Sequence, residues 1–289
     1  MKKQFSFVLA LFTLLLLPIQ ALADATVGDR IVTLGESLTE EQKKSILTEM
    51  NAPEDAQIIT VANEDEHKYL GEFIPKAQIG SKAISSSIIT ITEAESGLKV
   101  ETTDNITFIT DDMYTNALIT AGVKDATIYV TAPYKVSGTA ALTGLIKAYE
   151  LSSDQVISED VKKVANEEMI KTAQLGEKIG PEEASALMAR IKEEMAKNTP
   201  QTDADLRAII EAAATELGIT LSEEDITNLI ALFNKMKELN IDWNQVGEQL
   251  NIAKEKLTTF LQSEEGQGFL TKLQDFFVSL IDAIKSLFS

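Results

Sequence analysis

Across 289 residues the chain carries 26 Lys and Arg against 45 Asp and Glu, with one histidine, no cysteine and 6% aromatic residues. The net charge of −19 opposes binding to nucleic acid, anionic lipid or teichoic acid unless a local basic patch exists, and none stands in the sequence. Without cysteine there is no disulfide framework, no thiolate chemistry and no zinc–thiolate site, so stability must come from burial.

The first 23 residues read as an export address. Lys2 and Lys3 form a charged start, Phe5–Leu17 an apolar stretch, Pro18 a break, and Ala21-Leu22-Ala23 a cleavage site. The apolar run falls short of the ~20 residues needed to span a bilayer. Cleavage after Ala23 gives a secreted mature chain starting at Asp24, extracellular or associated with the cell envelope. It leaves 24 basic against 45 acidic residues, a net charge of −21.

Arg30–Leu34 (RIVTL) is a short strand candidate, and Thr39 with Gln42 makes a capping box for a helix running to about Met50. Gln57–Val61 (QIITV) is the next strand, followed by the acidic helix start Asn63-Glu64-Asp65-Glu66-His67. Ser85–Thr92 and Gly97–Thr102 alternate around a turn at Glu95-Ser96-Gly97, which predicts a β-hairpin, and Asn105–Thr110 (NITFIT) can extend that sheet. Asp111–Ala121 reads as a helix closed by Gly122, and Ala126–Ala132 (ATIYVTA) as a further strand.

Val136–Glu150 (VSGTAALTGLIKAYE) then predicts a helix that is apolar almost all round. Only Thr139, Thr143, Lys147 and Glu150 share a narrow polar strip, so the helix is buried, and Ala140, Gly144 and Ala148 let another element approach closely. After Glu150 strand signals stop and helix starts recur at Ser158, Gly180-Pro181, Thr202 with Asp205, Ser222 with Asp225, and Asp242. The expected organisation is a signal peptide (1–23), an α/β or α+β domain with a mixed sheet (24–152) and an all-α helical bundle domain (153–289).

Four stretches, HKYLG (67–71), QIGSKAISS (78–86), NALITAGVKDA (116–126) and VSGTAALTGLIKAYE, resemble an uncharacterised family of exported proteins from Gram-positive bacteria. It is a domain-of-unknown-function family that includes the YpuA-like proteins of bacilli. The resemblance spans most of the mature chain and is most specific in the last stretch. It implies an envelope-located or secreted protein and carries no catalytic residue across.

Candidate chemistry is sparse. The turn Ser137-Gly138-Thr139, at a helix start after a strand, can bind an anion through backbone N–H groups and the helix dipole. It lacks the lysine and hydroxyl of a P-loop, and no GxGxxG is present, so no cofactor is implied. As a structural element the same turn is a small-residue cap with Ser137 closing the helix. His67 has no G-x-S-x-G partner for a triad and reads as part of a solvated helix face. No calcium loop exists, and no metal site is expected. Scattered carboxylates leave open an envelope-directed hydrolase, although glycan clefts display aromatic platforms and this chain has one Trp, Trp243.

The segment Phe269–Phe288 is the cleanest amphipathic stretch, with Phe269, Leu273, Phe276, Phe277, Leu280 and Ile284 on one apolar arc. Lys272 and Lys285 are offset by Asp275 and Asp282, which weakens a membrane-surface reading and leaves either closure of the bundle or an interaction surface. The sequence thus favours a non-catalytic binding or interaction protein whose partner is an envelope component or another protein, with the hydrolase as the alternative.

Overall fold

A computed structural model describes residues 26–153, 155–239 and 241–262, the side chains of residue 78 and of 256–262 excepted. Five short β-branched runs form one mixed sheet: β1 (Arg30–Gly35), β2 (Gln57–Val61), β3 (Ser86–Ile91), β4 (Leu98–Thr102) and β5 (Ala126–Thr131), in the order β2-β1-β3-β5-β4. The α1 helix (Glu40–Glu49) returns the chain so that β2 lies parallel to β1, and α4 (Asp111–Thr120) does the same for β4 and β5. Between these two units β3 runs antiparallel to both its neighbours, β1 and β5. The short helices α2 (Asn63–Leu70) and α3 (Lys76–Ile79) follow β2.

The expected β-hairpin does not form. Its turn is present, with Glu95 at φ 64° and Gly97 at φ 65°, but β5 lies between the two arms. Ile128 of β5 pairs with Ile89 on one side and with Val100 on the other. Asp125, just ahead of β5, accepts the Thr92 N–H at its carbonyl and the Gly97 N–H at Oδ1, each at 2.8 Å. Ile128 and Val130 are fully buried. An inner position pairs both edges of that strand and buries its Ile128 and Val130 face, and this outweighs the local turn signal. Asn105–Thr110 does not extend the sheet either, since only an isolated bridge joins Ile106 to Val136.

The apolar helix, α5 (Thr139–Ser153), lies on the sheet face that carries Thr33 and Ser87. A Cβ on Gly144 would stand 2.7 Å from Thr33 Oγ1 and 2.9 Å from Val61 Cγ2, so the backbone approach requires glycine. The strip expected to be polar is only partly so. Thr139 and Thr143 are buried, while Lys147 pairs with Asp65 at 2.7 Å and Glu150 with Lys162 at 2.8 Å.

Among the described residues five helices follow: α6 (Glu159–Ile179), α7 (Pro181–Lys197), α8 (Asp203–Glu216), α9 (Glu223–Glu238) and α10 (Trp243–Gln262). Their starts are those the sequence marks, with Ser158, Thr202 and Ser222 capping and Pro181 opening α7. Secondary structure changes character at 153, yet burial continues across it. Val161, Ala165, Met169 and Ile170 of α6 belong to the core built on the sheet, whereas Val164 and Leu175 of the same helix belong to a second core with Leu187, Ile191, Leu206 and Phe233. Among the described residues no helix is long and apolar enough to cross a membrane.

Candidate functional site

At the turn before α5, the two side-chain hydroxyls and one backbone N–H are engaged within the chain. Thr139 donates its hydroxyl to Glu66 Oε1 at 2.8 Å, Ser137 Oγ lies 3.1 Å from Thr139 Oγ1, and the Ala141 N–H donates to Ser85 Oγ at 3.1 Å. Gly138 sits at φ 95°, its carbonyl accepts from the Tyr114 hydroxyl, and a Cβ there would meet Ile106 Cγ2 and Tyr114 Oη at 2.6 Å. Glu66 is 2% exposed, and burial pushes its carboxyl above the usual range against the opposing hydrogen bonds from Thr139 and Asn63. The positive end of α5 therefore faces a carboxylate of the chain itself. His67 is half-buried rather than solvated and donates from Nε2 to the Gly80 carbonyl at 3.0 Å.

A second feature lies at the carboxyl end of β4. Ile106, Phe108, Asp111, Asp112 and Glu182 line an open cavity of about 330 Å³ where α4 and α7 begin. Asp111 Oδ1 accepts the Thr102 N–H at 2.9 Å, while burial, and then the charges of Asp111 and Glu182, raise the Asp112 carboxyl above its ordinary value. This is where the fold gathers carboxylates that are far apart in sequence.

The third feature is a groove between α6 and α9. Asp160, Lys163, Val164 and Glu167 recur at three- and four-residue spacing on α6, and Lys235, Glu238 and Leu239 do so at the end of α9. Glu72 and Phe73, from the loop after α2, close one end of a cavity of about 290 Å³. Lys235 places Nζ 2.8 Å from both oxygens of Glu167 and 5.5 Å from the Phe73 ring centre. Glu167 is buried, so one charge of each sign is fixed in the wall. Among the described residues Lys163 has only the distant ion-pair contact with Glu72, at 3.7 Å. Asp160 and Glu238 have no ion-pair partner among the described residues. Farther along, Lys178 pairs with Asp225 at 2.6 Å beside a smaller cavity of about 50 Å³.

Sequence reasoning passes over this groove, because each of its charges reads singly as a solvated helix face. The only available signal is the matching 3/4 spacing on two helices, and nothing local says that those helices are neighbours. The candidate surface Phe269, Leu273, Phe276, Phe277, Leu280 and Ile284 lies outside the described residues. Among the described residues no group of three or more histidines and carboxylates is placed to hold a metal ion.

A family model described as "Protein of unknown function (DUF1002)" matches residues 34–253. The chain belongs to this family. It is 58% identical over 276 residues to "Uncharacterized protein YpuA" of Bacillus subtilis (strain 168), covering 95% of each chain. No solved structure matches. The DUF1002 match runs from the end of β1 into α10, taking in the turn before α5, the carboxylate cavity and the α6/α9 groove, and stops short of 269–288.

Proposed function

We propose that this DUF1002 protein is exported, works outside the cytoplasm at the cell envelope, and binds a small ligand there without transforming it. The observation that carries the binding reading is the α6/α9 groove. It has an aromatic and aliphatic wall, an ion pair between the exposed Lys235 and the buried Glu167, and further charges of both signs left available. Such a concave, partly apolar lining with a few placed charges is how small-ligand sites are built. Export rests on Lys2, Lys3, Phe5–Leu17 and Ala21-Leu22-Ala23. The acidic balance opposes nucleic acid as a partner. The arc on 269–288 supports a further contact with an envelope component, with membrane contact a lesser use of it.

Two measurements test this reading. N-terminal sequencing of protein recovered from envelope or medium should begin at Asp24, and an uncleaved cytoplasmic chain would end the export proposal. Mature protein incubated with a soluble envelope extract should gain thermal stability and release its ligand chemically unchanged, as seen by mass spectrometry. Recovery of a new product would instead favour the second reading, a hydrolase. That reading rests on the carboxylate cavity, with Asp112 placed as the acid by its raised pKa and Glu182 as its partner. The Asp112→Asn and Glu182→Gln variants should then lose product formation.

A further inference from the structure

We propose that the α6/α9 groove binds a zwitterion, a free amino acid or a dipeptide, with its ammonium at Asp160 and Glu238 and its carboxylate at Lys163. The inference rests on the binding reading above and gives that site its ligand class. Lys235 is already neutralised by two 2.8 Å contacts to Glu167, and the pair is wall rather than receptor. What remains is one cation beyond hydrogen-bond distance of its nearest acid, Lys163 at 3.7 Å from Glu72, and two carboxylates without ion-pair partners among the described residues. An anion alone would meet Glu72, Asp160 and Glu238, and a cation alone would leave Lys163 with only its distant contact to Glu72. A ligand carrying both charges answers all three.

Size and spacing agree with this assignment. Asp160 and Lys163 stand one turn apart on α6, about 4.5 Å along the axis. One small molecule with two charged ends can therefore reach both residues. A cavity of about 290 Å³ admits such a molecule with its side chain against Phe73, Val164 and Leu239. The groove is open, so water screens each charge, and selectivity comes from satisfying both ends together.

The test uses the full mature chain and calorimetry with four probes: leucine, leucyl-alanine, N-acetyl-leucyl-alanine and leucyl-alanine amide. Leucine or leucyl-alanine should bind, and the two arms distinguish a free amino acid from a peptide. Blocking either end should weaken binding roughly tenfold or more. In Asp160→Asn the N-acetyl penalty should shrink, and in Lys163→Gln the amide penalty should shrink. Should either variant fail to fold, NMR shift mapping of the unmodified protein must place the probe at residues 160–167 and 235–239. Equal affinity for blocked and free probes, binding elsewhere, or no binding of either zwitterion overturns the inference. Blocked probes seated in the groove would still support a binding protein, whereas cleavage of leucyl-alanine would overturn that reading instead.

Discussion

The ammonium of Lys192 lies 2.7 Å from Glu168 Oε1, with both side chains fully buried where α4, α6 and α7 meet. Lys192 also donates to the Asn116 carbonyl at 2.7 Å, and Thr120 donates to Glu168 Oε2 at 2.5 Å. Burial holds the Lys192 ammonium below its usual pKa, and Glu168 opposes that shift. The pair ties the helix that joins β4 to β5 onto the helical half. Removing one charge strands the other: Glu168→Leu should cost about 3–5 kcal/mol, and adding Lys192→Met should recover most of it. Urea unfolding of the two variants checks this. A single substitution no worse than the double would mean the pair is not isolated from water.

Gly144 fixes how closely α5 approaches the sheet. Any β-carbon meets Thr33 and Val61 below 3.0 Å, so Gly144→Leu should destabilise by about 1–3 kcal/mol or more through overpacking. Substituting the half-buried Lys147 by Ala removes only its pair with Asp65 and should cost about 1 kcal/mol or less. Thermal melts compare them directly. Equal melting temperatures would contradict the tight helix–sheet contact.

Glu66 predicts a pH dependence. Its folded pKa lies above the ordinary 4.5, because burial disfavours the charged form. Between 4.5 and the folded value the native chain holds a proton that the unfolded chain has released. This contribution is fully present below 4.5 and is lost as pH rises through the folded pKa. Glu66→Gln should therefore be at least as stable as the parent at neutral pH, and the advantage should disappear below 4.5. Denaturation across pH 4 to 8 checks the sign, and a glutamine variant that is less stable only at neutral pH reverses it.

The shared core predicts how the two halves behave apart. A fragment of residues 24–152 should keep sheet signal in circular dichroism, and 153–289 should be predominantly helical. Each would expose apolar surface, the first by losing Val161, Met169 and Ile170 from its core. Mixed, they should associate and reduce dye binding. Fragments that stay monomeric together and bind no dye would show that α6 contributes little to the first core.

Helix starts, strand positions and the buried α5 were legible because each depends on residues within a turn or two. Thr202 with Asp205 and Ser222 with Asp225 sit three apart, so the cap reads directly from the sequence. The small stripe of α5 was equally plain, although its counterpart, Thr33 and Ser87 at 2.6 Å on the sheet, was not. The hairpin failed for a related reason. Glu95-Ser96-Gly97 records a local turn, but β5, about 30 residues farther on, competes for the same edges.

The sequence by itself determined most of the elements and their caps, the mixed α/β-then-α order and the family. Tertiary structure decided that β5 separates β3 from β4, that Glu66 accepts the Thr139 hydroxyl at the start of α5, and that Asp160, Lys163 and Glu238 face one groove. Side-chain periodicity names the face an element presents. The partner of that face is set by packing between segments tens of residues apart, where many pairings satisfy the same pattern and only total burial chooses among them.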